Sequence, residues 1–260
     1  MICCPKRLHL LAIILVIIGL RTAYAQEQAA LSDDEVKERL SFIENALRST
    51  QPAARVWFYG WLAAYSTATV VQEGLAIAHW NDVKPADDSP DAPLVRDRAF
   101  AQDMLVGGAT TALGVVGLLL DPFLPAMSYN TLRSLPETTA EERRAKLERA
   151  EEILRRCAQR EKDGRGLLTH ALNLGVNTAA GLATVLAFDR PWTDGLVTFA
   201  VGEAVSLLNI FTQPRRSLRA WDRYEAKRLG KQEASLPEAF SKTLWAISLF
   251  PGGISLKLQF

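Results

Sequence analysis

The apolar positions fall into blocks of helical period separated by charged or proline-rich breaks. From Asp33 to Ser49, Val36, Leu40, Ile43 and Leu47 recur at steps of three or four with charges between them. That spacing predicts an amphipathic helix, with Ser32 and Glu35 as its capping box and Pro52 as its end. Val56 to Trp80 opens with Trp57, Phe58, Tyr59, Trp61 and Tyr65 and carries Gln72, Glu73 and His79 among apolar residues. Asn81 to Pro93, with four Asp and three Pro, reads as a solvated loop. Met104 to Leu120 is seventeen residues without a charge, the lower limit for a helix that spans a bilayer and equally the pattern of a central buried helix.

The next block is of opposite character. Thr138 with Glu141 and Thr139 with Glu142 offer two overlapping capping boxes. After them Leu147, Ala150, Leu154 and Cys157 form one narrow apolar seam on a helix dense in Glu and Arg, ending near Gly164. Two apolar helices follow, Leu167 to Phe188 and Gly195 to Phe211, joined by Asp189-Arg190-Pro191-Trp192. A basic helix from Arg215 to Leu229 has Arg215, Arg216, Arg219 and Arg223 around Trp221, the pattern of a helix that lies on an anionic lipid surface or caps a bundle. The predicted fold class is therefore all-α: a helical bundle of about six helices, made of two apolar helical hairpins plus amphipathic helices, with a short C-terminal β-hairpin.

That hairpin is read from residues 243–260. Trp245, Ile247 and Leu249 alternate with small or polar residues, Pro251-Gly252-Gly253 makes a turn, and Ile254, Leu256, Leu258 and Phe260 alternate again. The last seven residues resemble the closing strand of Gram-negative outer-membrane β-barrels. Nothing upstream repeats the alternation, so no barrel is inferred.

The length of 260 residues and the formal charge of +1 divide unevenly. Residues 1–25 read as a secretory signal: Lys6 and Arg7, an apolar run from Leu10 to Leu20, and a small-residue cleavage site Ala23-Tyr24-Ala25 before Gln26. Without it the chain has 27 Lys/Arg against 29 acids, a charge of −2. Cys157 is then its one cysteine, so no internal disulfide forms. Residues 26–242 are the expected helical domain. Export and a net acidic charge argue against nucleic acid as a partner.

Within the apolar helices the polar and small residues keep helical spacing: His170, Asn173, Asn177, Gly181, Thr184 on one, Thr198, Gly202, Ser206, Asn209, Gln213 on the next, and Gly107, Thr111, Gly114 on a third. Such stripes allow close helix packing with hydrogen bonds across the contact. Asp103-x-Leu-Val and Asp194-Gly-Leu-Val open the second helix of each hairpin, a faint internal duplication. The strongest polar constellation is His170, Asn173 and Asn177 facing Glu203, with Glu73 and His79 as further members. A Glu–His pair supports acid–base work or part of a metal site. The plainer reading is a network that fixes helix register. There is no CxxC, HExxH, nucleophile elbow or P-loop, and no cofactor or metal site is assigned.

The resulting expectation is a non-enzymatic bacterial cell-envelope protein, periplasmic or outer-membrane-associated, acting through contacts with a membrane surface or an envelope partner. Three alternatives stand beside it: a carrier of a lipid or other apolar ligand between the hairpins, a metal-dependent hydrolase using His79, His170 and Glu203, and a polytopic inner-membrane protein. The acidic Asn81 to Asp103 loop would be cytoplasmic after signal cleavage, against the positive-inside rule, which weighs against the last. Amino-terminal sequencing of the exported chain is expected to begin at Gln26; a chain starting at Met1 overturns the signal reading.

Overall fold

A computed structural model describes residues 31–89, 91–228, 245–250 and 253–258. The expected signal at 1–25 lies outside these residues, as does the terminal Phe260. The chain forms two units, residues 1–221 and 222–260. The architecture is all-α with small antiparallel hairpins, as the periodicity predicts.

Helix α1 runs Asp33–His79, and β1 (Val83–Pro85) pairs antiparallel with β2 (Leu94–Arg96). Helix α2 is Ala99–Leu120, followed by a 3₁₀ turn Leu124–Ala126 and the short α3, Ser128–Arg133. Helices α4 (Ala140–Asp163), α5 (Leu167–Leu186), α6 (Trp192–Thr212) and α7 (Arg216–Arg228) complete the helical set. In the second unit β3 (Trp245–Phe250) pairs with β4 (Gly253–Leu258), Phe250 opposite Gly253.

Pro52 does not end the first helix. α1 continues through it for 47 residues, fusing two segments that the sequence separates. Proline removes one backbone donor and disfavours a helix interior, but burial on both sides of it holds the helix together: Leu47, Thr50 and Gln51 before it, Ala54, Trp57 and Phe58 after it. Arg216 Nη1 donates to the Ser49 carbonyl at 3.0 Å, in the turn that precedes Pro52. Both α1 and α4 start in reciprocal capping boxes, Ser32–Glu35 and Thr139–Glu142; the Thr138–Glu141 alternative is not formed, because Glu142 accepts from both the Thr138 and Thr139 amides.

The first half of α1 packs on α4 as an ordinary amphipathic pair. Val36, Leu40, Ile43 and Leu47 are buried, and so are Leu147, Ala150, Leu154 and Cys157, the seam read from sequence. Ion pairs rim the contact: Arg143 with Asp33 at 2.8 Å, and the buried Lys146 with Glu44 at 2.7 Å. This charged module is called the polar end below. The second half of α1 packs along α2, α5 packs along α6, and α2 touches both α5 and α6, giving a four-helix apolar bundle. Ala54, Trp57, Phe58, Leu118, Phe123 and Ala126 form a core where bundle and polar end meet, Trp57 lying 4.8 Å from Phe123.

Several of the chain's exits from the apolar helices are held by guanidinium groups on carbonyls that lack helical partners. Arg160 donates to Asp121 O at the end of α2 (3.0 Å), Arg165 to Phe211 O and Gln213 O at the end of α6 (2.9 and 2.6 Å), and Arg55 to Ala126 O (3.1 Å). The complementary device caps α7. The fully buried Glu161 of α4 accepts from the Ser217 and Leu218 amides at 3.1 and 2.8 Å, at the helix end where amides are unpaired and the dipole favours an anion. Burial pushes the Glu161 carboxyl above its ordinary value, against the opposing pull of these amides. Its folded form thus holds a proton more tightly than the unfolded chain, and its contribution to stability falls as pH rises through that interval.

Cys157 is buried, with its thiol donating to Ser128 Oγ at 3.0 Å, and burial pushes its pKa up to about 12. The folded chain without its leader is expected to resist alkylation at about pH 8 and to react fully once denatured. Rapid alkylation of Cys157 without denaturant, followed by mass spectrometry, would contradict this packing.

Candidate functional site

The two halves of unit 1 differ in where their large apolar side chains lie. In the polar end these are mostly inside. In the four-helix bundle some are buried, Val106, Leu118, Val185 and Ile210 among them, but many face outward: Leu113, Val116 and Leu119 on α2, Leu168 and Leu172 on α5, and Val197, Val201 and Leu208 on α6 are all exposed. Among the described residues two helices are long and apolar enough to cross a membrane, Ala99–Leu120 and the one starting at Trp192, and only 17% and 11% of their most apolar windows is buried.

Polar and small groups instead line the contacts between helices. On the first hairpin, Thr69 Oγ1 donates to Thr111 Oγ1 at 3.0 Å, while Gln72, Glu73 and Tyr65 of α1 sit against Gly107, Gly108 and Gly114 of α2. On the second, Thr184 Oγ1 meets Thr198 Oγ1 at 3.3 Å, and Asn177 packs on Gly202. Asn177 is buried; its Nδ2 lies 2.9 Å from Glu203 Oε2 and 3.1 Å from Ser206 Oγ. Gly181 and Gly195 bring α5 and α6 so close that a Cβ on Gly181 would stand 2.6 Å from the Gly195 carbonyl oxygen. Each hairpin therefore has a threonine–threonine bond, an amide seated on a glycine, and a glutamate near it.

Of the six residues in the predicted polar constellation, only Asn177 and Glu203 are joined. Glu73 belongs to the other hairpin, against Gly108. Asn173 Nδ2 turns back to the Thr169 carbonyl at 3.0 Å. His79 bonds Asp82 at 2.7 Å and meets Phe100 edge-on, at the N-terminal end of α2. His170 lies in the first turn of α5, just after α4, whose Arg160 holds the C-terminal end of α2. The two histidines are thus at opposite ends of a 22-residue helix, about 30 Å apart by helical rise. Among the described residues no three His, Cys, Asp or Glu side chains stand close enough to share a metal ion. The arrangement proposed for a metal-dependent hydrolase is not formed.

The basic residues of α7 combine local bonds with exposure. Arg216 donates to Ser49 O and Arg219 Nε to Arg215 O, while Trp221 and Arg223 have interactions of their own. Arg215, Arg216, Arg219 and Arg223 remain exposed.

Sequence reasoning did not foresee the function of Arg190. Its guanidinium reaches Ala99 O at 3.0 Å, Asp103 at 3.4 Å and Asp194 at 2.5 Å, stitching the two hairpins together at the end away from the charged module. Asp103 and Asp194 are the aspartates of the faint duplication, so that repeat was the available signal. Aromatic residues mark both ends of the bundle: Trp57, Tyr59 and Trp61 near the polar end, Trp80, Phe100 and Trp192 at the far end. Trp61 to Trp80, and Trp192 to Phe211, each cover about 28 Å of helix.

Comparison with protein-family models, with curated proteins and with solved structures finds no match to this chain.

The glycine contacts separate two kinds of substitution on α5. Gly175 has nothing within 4 Å of an added Cβ, whereas Gly181 has the backbone of α6. Gly175→Ala is expected to be neutral or stabilising by about 0.5–1 kcal/mol, and Gly181→Ala to destabilise by roughly 1–3 kcal/mol through overpacking. Thermal unfolding of the two variants checks the order; equal stabilities would rule out the close α5–α6 approach.

Proposed function

We propose that the chain is a non-enzymatic cell-envelope protein embedded in a membrane by its four-helix bundle, with the charged α1–α4 module held on one face as the surface that meets partners. The observation that carries this reading is the number of large apolar side chains that the bundle, unlike the polar end, leaves exposed. Exposed apolar side chains on four adjacent helices form a surface that water would disfavour and lipid tails would not. The belt is bounded by aromatic residues at both ends, and its length of about 28 Å matches a hydrocarbon core of about 30 Å. Polar side chains paired between helices are the usual arrangement inside a bundle surrounded by lipid.

The charges at the two ends are unequal. Residues 121–166 carry ten Lys/Arg and nine Asp/Glu, while residues 80–98 carry three Lys/Arg and five Asp. The positive-inside rule favours the polar end on the cytoplasmic side, and a cleaved signal before Gln26 favours the opposite. The spanning arrangement itself does not depend on which prevails. In either orientation residues 80–98 and the α4 module lie on opposite sides of the bilayer.

Alkaline carbonate washing of membranes is expected to leave the chain in the pellet. Cysteines introduced as Asp88→Cys and Glu148→Cys should react with an impermeant maleimide from opposite faces of sealed vesicles. Release of the chain into the carbonate supernatant, or labelling of both cysteines from the same face, would overturn the spanning reading.

A further inference from the structure

We propose that Arg215, Arg216 and Arg219, at the junction of α6 and α7, form a docking surface for the anionic headgroups of phospholipids in the leaflet at the polar end. The inference rests on the spanning reading above.

The level of that surface follows from the end of α6. Trp57 Nε1 donates to Asn209 O at 3.2 Å and Trp61 Nε1 to Thr212 Oγ1 at 3.1 Å, so two indoles mark the last turn of that helix. Indoles settle where apolar tails meet headgroups. Arg215 is three residues past Thr212, a reach of at most about 11 Å of chain. Arg219 follows one helical turn later. The first turn of α7 therefore lies at headgroup level.

It is also held there. Arg165 Nη2 donates to Phe211 O and Gln213 O, and Gln213 Nε2 donates to Glu161 O at 3.3 Å. Glu161 accepts from the Ser217 and Leu218 amides, and Arg216 Nη1 reaches Ser49 O. These bonds, with the buried Ser217 and Ala220, fix one side of the turn, while Arg215, Arg216 and Arg219 are exposed. A charged surface held in place before its ligand arrives loses little freedom on binding.

Cations outnumber acids at this junction. Residues 214–221 have three arginines and no acid. Arg219 Nε donates to Arg215 O at 3.3 Å, which sets the two arginines one turn apart. Burial lowers the Arg165 pKa, and the neighbouring Arg215 charge adds to it, against the pull of Glu161. Glu161, the acid beside Arg165 and Arg219, is fully buried and committed to its two amides. Guanidinium forks match phosphate oxygens two donors at a time, and a basic cluster next to a spanning helix attracts anionic lipid. Headgroup phosphates are the anions that a bilayer keeps at this depth, whichever leaflet the polar end occupies.

The test dissolves carbonate-washed membranes in neutral detergent and titrates the full chain with phosphatidylglycerol or phosphatidylcholine, native mass spectrometry reading the bound lipid. A basic residue near an anionic surface is worth about fivefold in binding. Phosphatidylglycerol is therefore expected to bind at least about tenfold more tightly than phosphatidylcholine, and Arg215→Gln with Arg219→Gln to remove most of that preference. Arg216 is left in place because it also holds Ser49 O. Changing the exposed Arg133 and Arg155 to Gln removes the same charge elsewhere in the polar end and should leave the preference intact. Protection of Cys157 from alkylation reports that each variant is folded. If the double variant unfolds, Arg215→Gln alone is expected to weaken phosphatidylglycerol binding about fivefold. Inorganic phosphate at the lipid's concentration should not displace it. Equal binding of the two lipids, as a stripe reserved for an acidic protein would show, overturns the proposal. So does a preference that survives loss of Arg215 and Arg219, that disappears with Arg133 and Arg155, or that phosphate abolishes. A chain that carbonate releases overturns the spanning reading first, which keeps the two failures apart.

Discussion

The structure depends on how it satisfies backbone groups where the chain leaves its apolar helices. A helix end exposes carbonyls or amides that need partners. At the boundary between bundle and charged module these partners come from the module and the turns around it. Arg160, Arg165 and Arg55 donate to carbonyls at the ends of α2, α6 and the 3₁₀ turn, and Glu161 accepts from the first amides of α7. The charged helix is thereby more than a solvated face. Its last turn is the fixture on which the apolar helices terminate, and this explains why a segment so rich in Glu and Arg has a fully buried carboxylate.

At the far end one side chain does comparable work. Arg190, in the turn between α5 and α6, joins both hairpins through Ala99 O, Asp103 and Asp194. Between these two ionic layers the bundle contacts use glycine, threonine and amides, which gain from close approach and from hydrogen bonds shielded from water. The division of labour follows the surroundings. Charges sit at the ends, and neutral polar pairs occupy the apolar middle, with Glu73 and Glu203 as the two carboxylates placed there.

Much of this was legible in the sequence because it is local. The seam Leu147, Ala150, Leu154 and Cys157 and the two capping boxes are set by spacing within one helix, and they appear where the spacing puts them. The stripes of small residues on α2, α5 and α6 were also visible, since a helix that packs closely must keep small side chains on one face. What failed was non-local. Pro52 read as a terminus because propensity knows nothing of Trp57 and Phe58, which are buried just beyond it and hold α1 together. His79 and His170 read as partners because the sequence does not say at which end of a hairpin each residue lies. The three-residue strands β1 and β2 and the six-residue α3 were missed because their turns give too little period to register. The outward direction of the apolar faces was invisible for the same reason: hydropathy gives the stripe and the contacts decide which side it faces.

The continuity of α1 has a mechanical consequence. At 47 residues it is about 70 Å long, and it is a structural member of both the apolar bundle and the charged module. A rod shared by two bodies forces them to turn together, so a tilt imposed on one is delivered to the other as a displacement that grows with the length of the arm. Pro52, near the point where the arm passes from one body to the other, is where such a rod bends most readily.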